Sequence, residues 1–217
     1  MKNRLIILVL LALVVLSVGG QATAQTQITI GNSTSGTITF SGAGTTTVSF
    51  VGNCGYANCV SGYAYLGASA GTYNMWITGN NPTLTATGNP SLFAVNMNGG
   101  TLHFSFSLGS SSFAGTITLT TLKDGSLAPQ FLGSLNVTTA TGVFAGVYSP
   151  GQTVPFDLTI SLPNGSAFVD QVNSGLASST SGSISSGEII PAPEPGTIAL
   201  LGTGLLAIGG FLKRRLR

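Results

Sequence analysis

The stretch Gly115–Leu122, GTITLTTL, sets the apolar residues Ile117 and Leu119 two positions apart, with Thr116, Thr118 and Thr120 around them. The habit returns in TLHFSFSL through Leu102, Phe104, Phe106 and Leu108, and in VPFDLTISL through Phe156, Leu158, Ile160 and Leu162. Shorter forms stand at Ile28/Ile30, Ile38/Phe40 and Val48/Phe50. A period of two turns one face of each segment into a core and leaves the other wet. Threonine suits the wet face because its branched β-carbon favours extended backbone. Between these runs lie GNSTSG, TGNNPTLTATGNP, NMNGG, KDGS, YSPGQ and LPNGS. Each is dense in the Gly, Pro, Asn and Asp that make turns. No interior segment sustains a 3.6-residue period. The pattern predicts an all-β body of about eight to eleven short strands, arranged as an antiparallel β-sandwich.

Charge is scarce. Only 6% of the 217 residues are Asp, Glu, Lys or Arg, against about 25% in an ordinary soluble domain. Between Gln25 and Ile190, Lys123 is opposed by Asp124, Asp157, Asp170 and Glu188, so this region carries 1 − 4 = −3. The other cations stand at the two ends, Lys2 and Arg4 and then Lys213, Arg214, Arg215 and Arg217. A nucleic-acid partner requires a basic patch on the folded body, and one lysine does not make one.

The N-terminus reads as a secretory signal. MKNR is followed by the 14-residue apolar run LIILVLLALVVLSV and then by Ala22-Thr23-Ala24. That order of cationic, apolar and small residues predicts export through the secretion machinery and cleavage by signal peptidase after Ala24. An uncleaved membrane helix needs about 17–25 apolar residues. The exported remainder divides into a β-rich domain over 25–173 and a linker over 174–190. The linker reading rests on SGLASSTSGSISSG, although Ile184 and Ile189 leave room for one last weak strand.

The two cysteines, Cys54 and Cys59, enclose four residues. That spacing is too wide for a thioredoxin-like pair, and His103 is the chain's one histidine, so a zinc site lacks ligands. In an exported chain the pair reads as a local disulfide.

The C-terminus reads PAPEPGTIALLGTGLLAIGGFLKRRLR. Pro195 stops a helix, residues 196–212 are uncharged, and basic residues close the chain. This predicts a transmembrane helix over 196–212 with a cytoplasmic stop-transfer cluster. The three ordered parts, Pro193-Glu194-Pro195, the Gly-rich apolar run and Lys213-Arg214-Arg215-Leu216-Arg217, resemble the PEP-CTERM sorting signal over 191–217. The module also carries the label of ice-binding-protein C-terminal domain, which does not establish ice binding. The resemblance implies a Gram-negative exporter, often a maker of exopolysaccharide, in which an exosortase-type membrane enzyme acts near Pro193, Glu194 and Pro195. It implies a transient inner-membrane anchor over 196–212, stop-transfer by Lys213, Arg214, Arg215 and Arg217, and delivery to the cell surface or extracellular matrix.

The body offers little chemistry. Gly67-Ala68-Ser69-Ala70-Gly71 matches the G-x-S-x-G of a nucleophile elbow, but TYNMWITGNNP follows it instead of a helix, and His103 precedes every aspartate in the chain. The carboxylates Asp124, Asp157, Asp170 and Glu188 are few, and turns or solubilising strand positions account for them. Sugar binding has better material. Tyr56, Tyr63, Tyr65, Tyr73 and Trp76 cluster around the cysteines. In GTYNMWITG, Tyr73, Met75 and Ile77 share one face and leave Trp76 with Asn74 on the other. Trp76 and Tyr73 are the candidate sugar-stacking residues, against the alternative that Trp76 covers an edge or fills the core. The sequence thus predicts an exported, non-catalytic surface or matrix protein without metal or cofactor. The alternatives are a carbohydrate-binding module held in exopolysaccharide and, more distantly, a secreted hydrolase.

Overall fold

The computed structural model describes residues 27–42, 45–89, 91–123, 128–163 and 178–191. They form a compact unit over Thr26–Pro191 built from antiparallel strands and one 3-10 turn. The first eight strands follow one another in twos along the chain, each two forming the halves of one long, interrupted ribbon. The first ribbon is β1 (Ile28–Ser35) with β2 (Thr37–Gly42), and the second is β3 (Thr46–Val51) with β4 (Cys59–Leu66). The third is β5 (Ser69–Thr78) with β6 (Thr83–Ala86), and the fourth is β7 (Leu92–Asn96) with β8 (Thr101–Leu108). Four longer strands follow: β9 (Ser111–Lys123), β10 (Gln130–Ala140), β11 (Thr153–Ser161) and β12 (Ser178–Ile189).

Each ribbon pairs with its neighbour in sequence. β1 pairs with β4 and β2 with β3; β4 pairs with β5 and β3 with β6; β5 pairs with β8 and β6 with β7. β9 then takes β8 along Ser111–Ile117 and β7 along Thr121–Lys123. At the other margin β12 takes β2 along Ser178–Gly182 and β1 along Gly187–Ile189. The result is a sandwich-like pair of walls, β1–β8 facing β9–β12, with both margins hydrogen-bonded together. Closing the sheet removes the free edges along which strands aggregate. Twelve strands arise where fewer were expected because the ribbons of the first wall each break once, at residue 36, 52–58, 79–82 and 97–100.

The expected alternation decides which side chains go inside. Ile117 and Leu119 are buried while Thr118 and Thr120 are exposed. Ring contacts knit the core, with Phe104 edge-on to Phe113 at 6.1 Å and Phe113 edge-on to Tyr148 at 4.8 Å. Fully burying each such ring contributes about 1.5–3 kcal/mol. The 3-10 turn Gly142–Phe144 sets Phe144 against Phe106, and Tyr148 donates its hydroxyl to the Ile189 carbonyl at 2.9 Å. Hydroxyls point outward and apolar groups inward, the reverse of a barrel that meets lipid with an apolar outer band.

Two expectations are corrected. Residues 178–189 are strand β12, with partners on both sides, rather than linker. Among the described residues no helix is long and apolar enough to cross a membrane. The expected C-terminal transmembrane helix is therefore not seen, and residues 196–212 lie outside the described residues. That expectation rested on Pro195, the uncharged run and the closing basic cluster. The segment sits at the short limit of a span, and its five glycines, at 196, 202, 204, 209 and 210, each lower helix propensity by about 1 kcal/mol relative to alanine.

Candidate functional site

The break between β3 and β4 is filled by the cysteine loop. Cys54 and Cys59 are disulfide-bonded with their α-carbons 5.8 Å apart, inside the usual range for such a bridge. Asn53 Oδ1 accepts a hydrogen bond from the Gly55 N–H at 3.3 Å. Gly55 and Asn58 adopt left-handed backbone at φ of 90° and 55°, as tight reversals require. The loop thereby lays Tyr56 flat on Trp76, ring centroids 4.0 Å apart and 3° from parallel.

The other side of the indole meets His103, at 5.0 Å and 14°. Register explains this, because Trp76 stands opposite Cys59 on one neighbour and His103 on the other. His103 Nε2 is in turn 2.9 Å from Thr78 Oγ1. Trp76 is thus the middle of a three-ring stack, with both of its faces occupied. Tyr73 points the opposite way. It is buried against Phe104, with ring centroids 5.9 Å apart. Neither ring named from the sequence offers an open face to a sugar, which corrects that assignment.

The open rings are others. Tyr63 and Tyr65 on β4 are 52% and 39% exposed, and Tyr56 is 45% exposed. With Val51 they make up four of the six large apolar or aromatic side chains exposed among the described residues, and all four lie on the β3–β4 ribbon. The alternation that buried Ala64 between the two tyrosines was sufficient to find them.

Ser69 sits at the tip of the β4–β5 hairpin opposite Leu66. Seven residues of strand separate it from Trp76, the partner of His103, a distance of about 23 Å. The G-x-S-x-G match therefore does not bring His103 to its serine. The carboxylates hold one surprise, since Asp157 and Glu188 stand directly opposite each other on β11 and β12. Facing β-carbons in such a pair lie about 5 Å apart. Asp157 Oδ1 accepts the Glu188 N–H at 3.1 Å. Desolvation pushes the Asp157 carboxyl above its ordinary range, opposed by hydrogen bonds from the Glu188 backbone and the Gln130 side chain. Both residues lie on the outer surface, half-buried. Among the described residues no three His, Cys, Asp or Glu side chains gather to hold a metal ion. Asp124, Asp170, the signal segment with Ala22 and Ala24, and the tail residues Pro193, Glu194, Pro195, Lys213, Arg214, Arg215 and Arg217 lie outside the described residues.

The body defines a closed, all-β meander with an aromatic strip on one ribbon. Comparison with known proteins adds the tail: residues 191–215 match the PEP-CTERM protein-sorting motif. No curated protein and no solved structure matches the chain. The motif marks this as an exported, PEP-CTERM-tagged surface or extracellular protein, processed by an exosortase-type system.

Proposed function

We propose that the protein is a non-catalytic component of the cell surface or extracellular matrix. On this reading signal peptidase releases the chain after Ala24, and exosortase-type processing near Pro193-Glu194-Pro195 delivers the closed β body to its site. The sorting motif at 191–215 is the observation that carries the reading. It supplies an address, and the body supplies a surface. A second reading, that the body attaches to extracellular polysaccharide, is favoured by the exposed tyrosines on the β3–β4 ribbon.

Intact-mass analysis of surface-released protein tests the first reading. The released form should begin at Gln25 and end short of Arg217. The same material should turn over no glycoside or ester substrate above a blank. Glycoside turnover that vanished in Asp157→Asn or Glu188→Gln would overturn the non-catalytic reading, because those carboxylates are the one facing acidic pair among the described residues.

A further inference from the structure

The two walls differ in charge. From Gln25 to Leu122 the chain contains no Asp, Glu, Lys or Arg, so the whole β1–β8 wall carries no acidic side chain, lysine or arginine. The charged residues among those described, Lys123, Asp157 and Glu188, belong to β9, β11 and β12. The exposed tyrosines stand on the uncharged wall. Tyr63 and Tyr65 are two residues apart on β4, so their α-carbons are separated by about 6.8 Å. β4 is hydrogen-bonded to β1 on one side and β5 on the other, which fixes the backbone beneath both rings.

The surroundings are hydroxyls and amides. Tyr63 faces Thr72, which faces Ser107; Ser61 faces Asn74, which faces Ser105. Beside Tyr65 lies Gly31, where an added β-carbon would come 3.1 Å from Tyr65 Cε2 and 3.0 Å from the Tyr63 carbonyl oxygen. With no side chain rising from Gly31, the Tyr65 ring lies over the neighbouring strand and remains exposed.

These features select an occupant. An acidic peptide, a nucleic acid or an anionic lipid surface needs cations, and this wall has none. An apolar partner helix needs a continuous apolar stripe, whereas Ser61, Thr72 and Asn74 interrupt this one. The nearest charge is repulsive to acidic polymers. Tyr65 faces Thr29, which faces Glu188, which faces Asp157, so a carboxylate begins two strand spacings away, about 10 Å. A pyranose carries both complements, an apolar C–H face for a ring and a rim of hydroxyls for Ser, Thr and Asn. We propose that the Tyr56, Tyr63 and Tyr65 face binds an uncharged polysaccharide, its sugar rings stacked on the tyrosines. The inference rests on the polysaccharide-attachment reading above and adds to it the site and the class of glycan.

Affinity electrophoresis of the full-length protein tests this, in native gels containing neutral glucan, mannan or galactomannan and, in parallel, acidic alginate. A neutral polymer should retard the protein, and added salt should leave the retardation unchanged. Tyr63→Ala/Tyr65→Ala should weaken it about tenfold, equal to ~1.4 kcal/mol. Gly31→Val, which leaves both tyrosines present but tilts Tyr65, should weaken it in the same direction. Thr118→Ala on the opposite wall should change nothing, and Trp76 emission with circular dichroism verifies that each variant is folded. Undiminished retardation of the folded double variant would place the glycan elsewhere and overturn the site, while attachment to polysaccharide stood. Retardation by alginate alone, relieved by salt, would overturn the neutral class. Failure of every polymer to retard the parent would remove the attachment reading itself. Self-association in sedimentation, abolished by the tyrosine changes, would make the face an interface between copies and equally overturn the proposal.

Discussion

Tyr73 and Tyr148 are both buried phenols, and burial pushes both hydroxyls above their ordinary ionisation range. Their partners differ. Tyr148 donates to the Ile189 carbonyl, whereas the Tyr73 hydroxyl has no hydrogen-bond partner among the described residues. Tyr148→Phe should therefore cost about 1 kcal/mol, and Tyr73→Phe should be neutral or stabilise by about 1 kcal/mol, since it removes an unpaired buried donor. Urea unfolding of both variants checks this, and equal losses would refute it. Asp157 gives a second test at this scale. Its folded carboxyl holds a proton more tightly than the unfolded one, whose ordinary value is 3.8. Below that value both states are protonated and the group contributes nothing. As pH rises from there through the raised folded value, the folded state binds more protons than the unfolded, so stability falls, and it stays lowered above. Asp157→Asn keeps an acceptor for the Glu188 N–H and removes the charge. The variant should gain on the parent across that window and remain more stable at pH 7, as unfolding midpoints measured from pH 3 to pH 7 would show. A variant that lost ground with rising pH would reverse the assignment.

The cysteine loop is where the elements act together. Its bridge closes a short ring, so replacing Cys54 and Cys59 by serine should cost about 2 kcal/mol by the loss of chain-entropy restraint. The larger consequence is local. The bridge holds Tyr56 on the indole, and Trp76 is the chain's one tryptophan. The double serine variant should shift Trp76 emission to longer wavelength and open it to acrylamide, with the far-ultraviolet dichroism of the strands unchanged. Emission identical to the parent would mean that β-strand register, without the bridge, positions the loop. Strand β12 shows why one element escaped the sequence. Its inward positions 182, 184, 187 and 189 are Gly, Ile, Gly and Ile. An added β-carbon at Gly182 would come 2.6 Å from Leu162 Cδ2 and 2.8 Å from Ile160 Cγ2. Close approach of the core demands glycine there, and glycine erases the apolar period that identifies a strand.

At the scale of the molecule the body and the tail are separable tasks. The strands close on themselves within Thr26–Pro191, so their stability does not require the sorting motif. Replacing Pro193, Glu194 and Pro195 with alanine should abolish arrival at the cell surface, measured by fractionation and surface proteolysis. The urea midpoint of the purified body should stay that of the parent. Surface delivery at the parent's yield and mass would remove the role assigned to those three residues. An altered midpoint would show that the tail supports the fold.

The sequence by itself determined the class of fold and the destination. Alternation at period two is local, so it assigned Ile117, Leu119, Phe104 and Phe106 to the interior and Thr118 and Thr120 to the surface. The sorting motif at 191–215 is read as a linear string. Tertiary structure decided what meets what. Cys59, Trp76 and His103 become neighbours through register between β4, β5 and β8, and Asp157 meets Glu188 through register between β11 and β12. Register depends on where each ribbon breaks and on which margins pair, and no local period encodes either. The parity that set Trp76 facing outward was legible in GTYNMWITG. That Tyr56 and His103 would cover both faces of its ring, leaving Tyr63 and Tyr65 as the open ones, followed only when the sheet closed.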